Sequence, residues 1–216
     1  MINISHFSIT NNFLTDYFCV YGTLRAGMSN NRLLDGCEHI GTYTVTGLRY
    51  NGGLSASYTG NPQDNLVVDV FKVTEENRLE KNIRVDGLEG IYIDNPEKDY
   101  HDVSTAEHED MSGLGSYYNY GKLVLNLPAT DVDPGSEEAT LSVVTKFYHM
   151  PDDVRENLRT NDYCYSRMIR AFNSKINPSP AEGVFRRFGD VNLDQHQENF
   201  PKSYAFYQTI YNSLND

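Results

Sequence analysis

The chain has no tryptophan and only three cysteines, Cys19, Cys37 and Cys164, without a C-x-x-C spacing. Its first residues, MINISHFSITNNF, lack the basic and apolar regions of a secretory signal. We therefore expect a cytoplasmic protein with reduced thiols. Because Cys19 lies in a strand-like run beside Val20, a small buried hydrophobic role is favoured over a nucleophile.

Long apolar runs and a basic stripe are also missing. The first absence argues against a membrane protein, and the composition of 39% hydrophobic and 12% aromatic residues indicates a soluble globular chain rather than a disordered one. The net charge of −12 and pI of about 4.8 would repel nucleic acid or a membrane surface, so neither is an expected partner. The basic pair Arg186-Arg187 is more typical of a local salt bridge or a partner patch.

Several motifs of catalytic chemistry are absent as well. No Gly-Lys-Ser/Thr follows the glycine turn at Gly22, and neither G-x-G-x-x-G nor G-x-S-x-G occurs. Nucleotide hydrolysis and dinucleotide binding therefore have no support. The segment HDVSTAEHED carries His101, Asp102, His108 and Glu109, but its spacing matches no standard metal-ligand set. We expect a solvated loop there, with no metal and no organic cofactor.

Strand-like and helix-like patterns divide the 216 residues into two parts. Strands are predicted from about residue 17 and at 41–50, 65–73, 122–127 and 141–150, whereas 1–15 and 51–65 are expected to be irregular or turn-forming. A helix is predicted over 75–88, with Thr74 as N-cap and Leu79 and Ile83 on one face.

After residue 150 the pattern becomes helical. Apolar residues recur at helical spacing through Met168 and Phe172, and tyrosines do so at Tyr204, Tyr207 and Tyr211. Such stripes are more often core or docking faces than ligand sites. We therefore predict an α+β domain over 1–150 and a helical C-terminal extension over 151–216 packed on it, with a protein partner as one use of the extension.

Two short segments stand out as candidate chemistry. The first is FCVYGTLRAG (18–27), in which a strand breaks into a glycine turn at Gly22. The second is VDGLEG (85–90), which places one carboxylate, Glu89, at the end of the predicted helix. Either motif is weak by itself, and their order along the chain is more informative.

In that order, VYGTLRAG, GTYTVTGLRYNGG, NLVVDVFKV and LEKNIRVDGLEG resemble the γ-glutamylcyclotransferase family, in particular its AIG2-like and γ-glutamylamine cyclotransferase branch. The resemblance covers roughly residues 17–103, with looser agreement to about 150. It implies a mixed β-barrel with flanking helices. The chain departs from the family pattern at Val68-Asp69, where many relatives carry Gly-Glu, and at 100–103, where many carry Tyr-x-Arg.

The resemblance also implies a reaction and its residues. Glu89 falls on the family's catalytic glutamate, a general acid/base, and the substrate loop falls on Tyr21, Gly22, Thr23, Leu24 and Arg25. The family closes a γ-glutamyl group onto its own α-amine, releasing 5-oxoproline and an amine or amino acid. The expected substrate is a small γ-glutamyl amine or peptide, held without a cofactor.

Two alternatives remain open at this level. A non-catalytic relative of the same fold could use the pocket for a small anionic ligand, with the extension serving a protein partner. An unrelated β-rich hydrolase would require the order of the motifs to be a coincidence. For both the enzyme and the non-catalytic relative, Glu89 should face the amides of Gly22 to Leu24 across an open cavity, and a Glu89 that points to bulk solvent would weaken both.

Overall fold

The computed structural model describes residues 1–10, 13–52, 55–93, 95–96, 100, 119–149, 161–176 and 191–215. Its strands are β1 (Ile4–Thr10), β2 (Tyr17–Val20), β3 (Glu38–Thr46), β4 (Leu48–Gly52), β5 (Ser55–Tyr58), β6 (Asn65–Lys72), β7 (Asn119–Pro128) and β8 (Thr140–His149). Its helices are α1 (Arg78–Leu88), α2 (Ala129–Val132), α3 (Tyr165–Ile176), α4 (Leu193–Asn199) and α5 (Pro201–Ser213). Short 3₁₀ turns cover Asn31–Leu34 and Glu75–Asn77. The architecture is α+β.

Six of the strands form one curled sheet in the order β1-β7-β8-β2-β6-β3, and β4 and β5 form a separate hairpin. Only β2 and β8 pair in parallel among these described neighbours. The curl brings the two edges of the sheet together at one end. Just before β1, the Ile2 N–H donates to the Thr44 carbonyl of β3 (2.9 Å), and the Thr46 N–H donates back to Ile2 (3.2 Å). The sheet is therefore a half-barrel.

Alternation along the strands fills both faces of this half-barrel. In β2 and β6, the residues Cys19, Val68 and Val70 pack into the core inside the curl. Their neighbours Phe18 and Phe71 point the other way, into a second core that includes Val85 of α1. The period of two therefore places α1 against the outer face of β2, next to the loop that follows this strand.

The C-terminal helices bury the predicted aromatic stripe in a third core. Met168 and Phe172 of α3 pack with Tyr204, Tyr207 and Tyr211 of α5. The described helices also contact the half-barrel, since Lys202 Nζ donates to the Ile40 carbonyl of β3 (2.7 Å). Within the described residues the tyrosine stripe is thus a core face, and binding of a protein partner by this part of the chain stays a prediction.

Most of the predicted elements are confirmed, with three corrections. Residues 1–15, expected to be irregular, contain β1, and the turn-like segment 51–65 contains the short β5. The helix predicted over 75–88 is also shorter, since α1 begins at Arg78 after the 3₁₀ turn Glu75–Asn77. Ile83 is 41% exposed, and the helix buries Lys81, Asn82, Val85 and Asp86. This polar face of α1 is buried because Asn82 and Asp86 bind the Lys146 ammonium group of β8.

In the part of the chain that the structure describes, no helix has the length and apolar character needed to cross a membrane.

Candidate functional site

Glu89 lies where α1 ends, and the end of the helix is built by its neighbours. Gly90 adopts a positive φ of 75°. The Gly90 N–H donates to the Gly87 carbonyl (3.2 Å) and the Ile91 N–H to the Asp86 carbonyl (2.9 Å), which is the hydrogen-bond pattern of a Schellman motif. The Glu-Gly pair of the sequence therefore stops the helix at a defined residue and fixes the position of the Glu89 backbone.

Glu89 lines a cavity together with the loop that follows β2. The cavity has a volume of about 170 Å³. Its described lining comprises Cys19, Val20, Tyr21, Gly22, Thr23, Leu24, Asn30, Leu88, Glu89 and Tyr148. Gly22 and Glu89 are 67 positions apart in the sequence, and both line this cavity. The carboxylate and the glycine turn therefore belong to the same site.

Hydrogen bonds within the loop hold it in one shape. The Arg25 N–H donates to the Gly22 carbonyl (3.1 Å), and the Asn30 N–H donates to the Thr23 carbonyl (3.0 Å). The Asn30 and Asn31 side-chain amides add bonds to Thr23 Oγ1 (2.9 Å) and to the Leu24 carbonyl (2.8 Å). The carbonyl groups of the turn are therefore largely occupied.

The backbone N–H groups of the same turn differ from its carbonyl groups. No acceptor within the described residues binds the backbone N–H of Gly22, Thr23 or Leu24. Leu24 is only 4% exposed, and a buried N–H without an acceptor among the described residues is unusual, since buried N–H groups are nearly always paired. Such amides at a cavity wall are suited to a carboxylate or to an oxygen that gains negative charge.

A buried network beneath the loop anchors it to the sheet and to the C-terminal helices. Asp69 of β6 accepts from the Ala26 N–H (2.8 Å) and from Arg25 Nε (3.2 Å). The Arg25 guanidinium also donates to Asp162 (2.6 Å) and to the Tyr207 hydroxyl (2.8 Å). One arginine therefore ties the loop to both parts of the molecule.

The predicted site residues divide into two groups in the structure. Tyr21, Gly22, Thr23, Leu24 and Glu89 line the cavity, whereas Arg25 is absent from its described lining. The Arg25 side chain is fully buried in the network with Asp69 and Asp162, where it holds the loop, and its contact with a ligand stays a prediction.

The surroundings of Glu89 change its acidity. Burial, followed by the nearby negative charge of Asp86, raises the pKa of Glu89 to about 7. Because Glu89 also caps the C-terminal end of α1, the partial negative charge of the helix end acts in the same direction. A carboxyl group in this range can both accept and donate a proton near neutral pH.

Asp86 and three residues that the sequence analysis missed lie immediately behind Glu89. Asp86 accepts from the hydroxyls of Tyr148 and Tyr100, the latter at 2.6 Å, and forms an ion pair with Lys146 Nζ at 3.2 Å. Both charged groups are almost fully buried, at 1% and 0% exposed. The signal for this cluster was a lysine in the middle of the apolar strand sequence LSVVTKFYHM, because a buried charge requires a partner.

No metal centre is apparent among the described residues, which include no group of three or more His, Cys, Asp or Glu side chains suited to hold an ion. The segment with His101, Asp102, His108 and Glu109 lies outside the described residues, as does the Arg186-Arg187 pair.

No family model matches the chain, and no curated protein matches it. A similar solved structure is that of an uncharacterized protein from Pyrococcus horikoshii, with 15% identity and a TM-score of 0.42, covering 72% of this chain and 96% of that one. A likeness of this degree says nothing about function.

Proposed function

We propose that this protein is a γ-glutamyl cyclotransferase that releases 5-oxoproline from a small γ-glutamyl amine or peptide, with Glu89 as general acid/base. The observation that carries the proposal is that Glu89 lines one cavity with Gly22, Thr23 and Leu24, whose backbone N–H groups have no acceptor among the described residues. The proposal includes a γ-glutamylcyclotransferase-like barrel as the fold and a cytoplasmic location, in which the free thiols would stay reduced.

The first task of the site is to fold the substrate back on itself. The α-amine and the γ-carbonyl belong to the same molecule and close a five-membered ring, so holding them in the reactive geometry supplies much of the catalysis, on the order of 7–11 kcal/mol. A cavity of about 170 Å³ is small beside the roughly 300–1,000 Å³ of drug-sized ligand sites and suits a compact, bent glutamyl group.

The second task is to move protons. Glu89 as carboxylate accepts one proton from the α-ammonium, and the freed amine attacks the γ-carbon. The carbonyl oxygen becomes negative and accepts from the amides of the turn. When the bond from the γ-carbon to the leaving nitrogen breaks, protonated Glu89 gives its proton to that nitrogen, and the second proton of the ring nitrogen passes to water. The products are 5-oxoproline and a free amine.

The acidity of Glu89 supports this double role. With a pKa of about 7, the group is present in both protonation states at neutral pH. An ordinary exposed glutamate, with a pKa near 4.3, would be a poor proton donor to a leaving amine.

The test is release of 5-oxoproline from a panel of γ-glutamyl amines, γ-glutamyl dipeptides and glutathione. The protein is compared with Glu89→Gln and with the control Glu80→Gln, which changes an exposed carboxylate of the same helix. Release that Glu89→Gln lowers by about 10²-fold or more, and Glu80→Gln leaves unchanged, would support the proposal. Tight binding of a small anion without turnover would favour the non-catalytic alternative.

A further inference from the structure

The proposed reaction leaves one charged group of the substrate without a partner. A γ-glutamyl group carries an α-carboxylate beside the attacking amine, and the amides of the turn bind the carbonyl oxygen that becomes negative. The described lining of the cavity includes no lysine, arginine or histidine. The carboxylate therefore needs neutral donors, because a charge taken out of water without hydrogen bonds is costly. This inference rests on the proposed function.

Three side chains of the described lining carry a hydroxyl group, and two of them donate within the protein. The Tyr21 hydroxyl donates to the Tyr148 carbonyl (2.9 Å), and the Tyr148 hydroxyl donates to Asp86. Thr23 differs from both. Its Oγ1 accepts from Asn30 Nδ2 (2.9 Å), and no acceptor for its own proton lies among the described residues. The Thr23 hydroxyl is therefore a donor that is still available at the cavity wall.

Asn30 holds this hydroxyl in place and forgoes another bond to do so. It stands at the N-cap position of the 3₁₀ turn Asn31–Leu34, where an asparagine side chain commonly accepts from a backbone N–H of the following turn. The Asn30 side chain makes no such bond. It reaches back seven positions to Thr23 instead, and the Asn30 N–H donates to the Thr23 carbonyl (3.0 Å). Two bonds from one residue thus fix the backbone and the hydroxyl of Thr23.

The bond from Asn30 also decides what the Thr23 hydroxyl can do. A threonine hydroxyl has one proton and two lone pairs. Because one lone pair is bound to the Asn30 amide, the proton has to point away from it, and the branched side chain has few rotamers. Thr23 is half-buried and lines the cavity. Asn30 therefore presents Thr23 as a donor, which suits an anionic group of the substrate.

We propose that Thr23 and Asn30 form the subsite for the α-carboxylate of the γ-glutamyl group. The Thr23 hydroxyl donates to this carboxylate and contacts the substrate directly. Asn30 is a positioning residue that acts through Thr23. The subsite makes the protein selective for γ-glutamyl amides over the matching amides of 4-aminobutyric acid, which can close the same five-membered ring but lack the carboxylate.

The test compares γ-glutamylethylamide with 4-aminobutyrylethylamide by the release of ethylamine. Thr23→Val keeps the shape of the side chain and removes the hydroxyl. It should lower kcat/KM for γ-glutamylethylamide by about 10- to 100-fold, as expected for a lost hydrogen bond to a charged group. For 4-aminobutyrylethylamide the change should stay below about threefold, and Thr23→Ser, which keeps the hydroxyl, should stay below about threefold for both amides. Equal losses for both amides, or no loss, would overturn the proposal, because a loosened loop affects both alike.

Asn30→Ala tests the positioning role through its dependence on Thr23. By itself it should lower kcat/KM for γ-glutamylethylamide by about threefold to tenfold, and in the Thr23→Val background it should have no further effect. Equal effects in the two backgrounds would show that Asn30 only shapes the loop, and would remove it from the subsite. Circular dichroism checks folding. If Asn30→Ala does not fold, the two Thr23 variants decide.

Equilibrium binding separates failure of this inference from failure of the proposed function. Glu89→Gln removes the group that moves protons, so the Kd of γ-glutamylethylamide is measured by calorimetry in this variant without turnover. Adding Thr23→Val should raise Kd by about tenfold or more, whereas adding Thr23→Ser should not. If this difference is found without any release of 5-oxoproline by the wild type, the subsite stands and the reaction fails. Wild-type release that Thr23→Val does not change overturns the subsite alone. An amide that is neither turned over nor bound overturns both.

Discussion

Replacing Asp69 by asparagine should strongly destabilise the protein, because Asp69 holds the loop at the candidate site. Its carboxylate accepts from the Ala26 N–H (2.8 Å), Thr42 Oγ1 (2.6 Å) and Arg25 Nε (3.2 Å), and it is 1% exposed. The amide keeps the shape of the side chain but removes the charge. Arg25 is then left with Asp162 as its main counter-charge.

The magnitude follows from the burial of the pair. Removing one partner of a buried ion pair costs about 3–5 kcal/mol where the remaining charge is left unpaired, and the lower end applies here because Arg25 keeps Asp162. For a chain of 216 residues, a loss of about 3 kcal/mol corresponds to a fall in Tm of roughly 6–12 °C. The contribution of Asp69 to the free energy of unfolding should also depend on pH. Burial would raise the pKa of Asp69, but Arg25 outweighs it and holds the pKa well below its usual range. Its contribution is therefore complete above about pH 4 and is lost progressively as the pH falls below that value.

Urea unfolding provides the assay, followed by circular dichroism and by the fluorescence of the 16 tyrosines in the absence of tryptophan. The control is Glu80→Gln, whose pair with Arg84 is about half exposed on both sides and should contribute less than about 1 kcal/mol. If Asp69→Asn proves no more destabilising than Glu80→Gln, the loop is not anchored by this network.

Three further outcomes are expected. Gly27→Ala should lower the free energy of unfolding in urea by about 1–3 kcal/mol, since Gly27 has a φ of 71° and an added Cβ would lie 2.6 Å from His196 Nδ1. The control Gly87→Ala, which has open space in α1, should raise it by about 0.5–1 kcal/mol. Equal effects of the two substitutions would contradict this. Burial lowers the pKa of His196 to about 4, so stability should fall by roughly 3 kcal/mol from this group as the pH drops from about 6.5 to 4, and His196→Gln should flatten that slope. In native labelling with a thiol reagent read by mass spectrometry, half-buried Cys37 should react before the two buried cysteines, and earlier labelling of a buried one would refute the packing.

The strands of the sheet could be predicted from the sequence where β-branched and aromatic residues are dense. In NLVVDVFKV, the apolar residues serve both faces of β6, and the β-branched run was sufficient to identify the strand. The first strand, β1, was missed because Ser5, His6 and Ser8 dilute its pattern at the edge of the sheet. The short β5 was missed because SASY lies among turn-forming residues.

The candidate site could be predicted only in part, for a physical reason. Glu89 and the glycine turn belong to local motifs, and both line the cavity. The role of Arg25 depends on partners 137 and 182 residues away in the chain, Asp162 and Tyr207, and local sequence patterns carry no such information. Asp69 illustrates the same limit: nothing in its local sequence indicates that it is a buried anchor for the loop in the structure.

The central claim is that Glu89 moves protons for γ-glutamyl cyclisation at the cavity formed with the turn. The most direct test is the pH dependence of kcat/KM for 5-oxoproline release, measured for the protein and for Glu89→Gln. The kcat/KM of the wild-type protein should rise with pH through an apparent pKa near 7, as Glu89 becomes ionised, and that of Glu89→Gln should be strongly reduced and lack this rise. A Glu89→Gln variant with the wild-type rate and the same pH profile would contradict it.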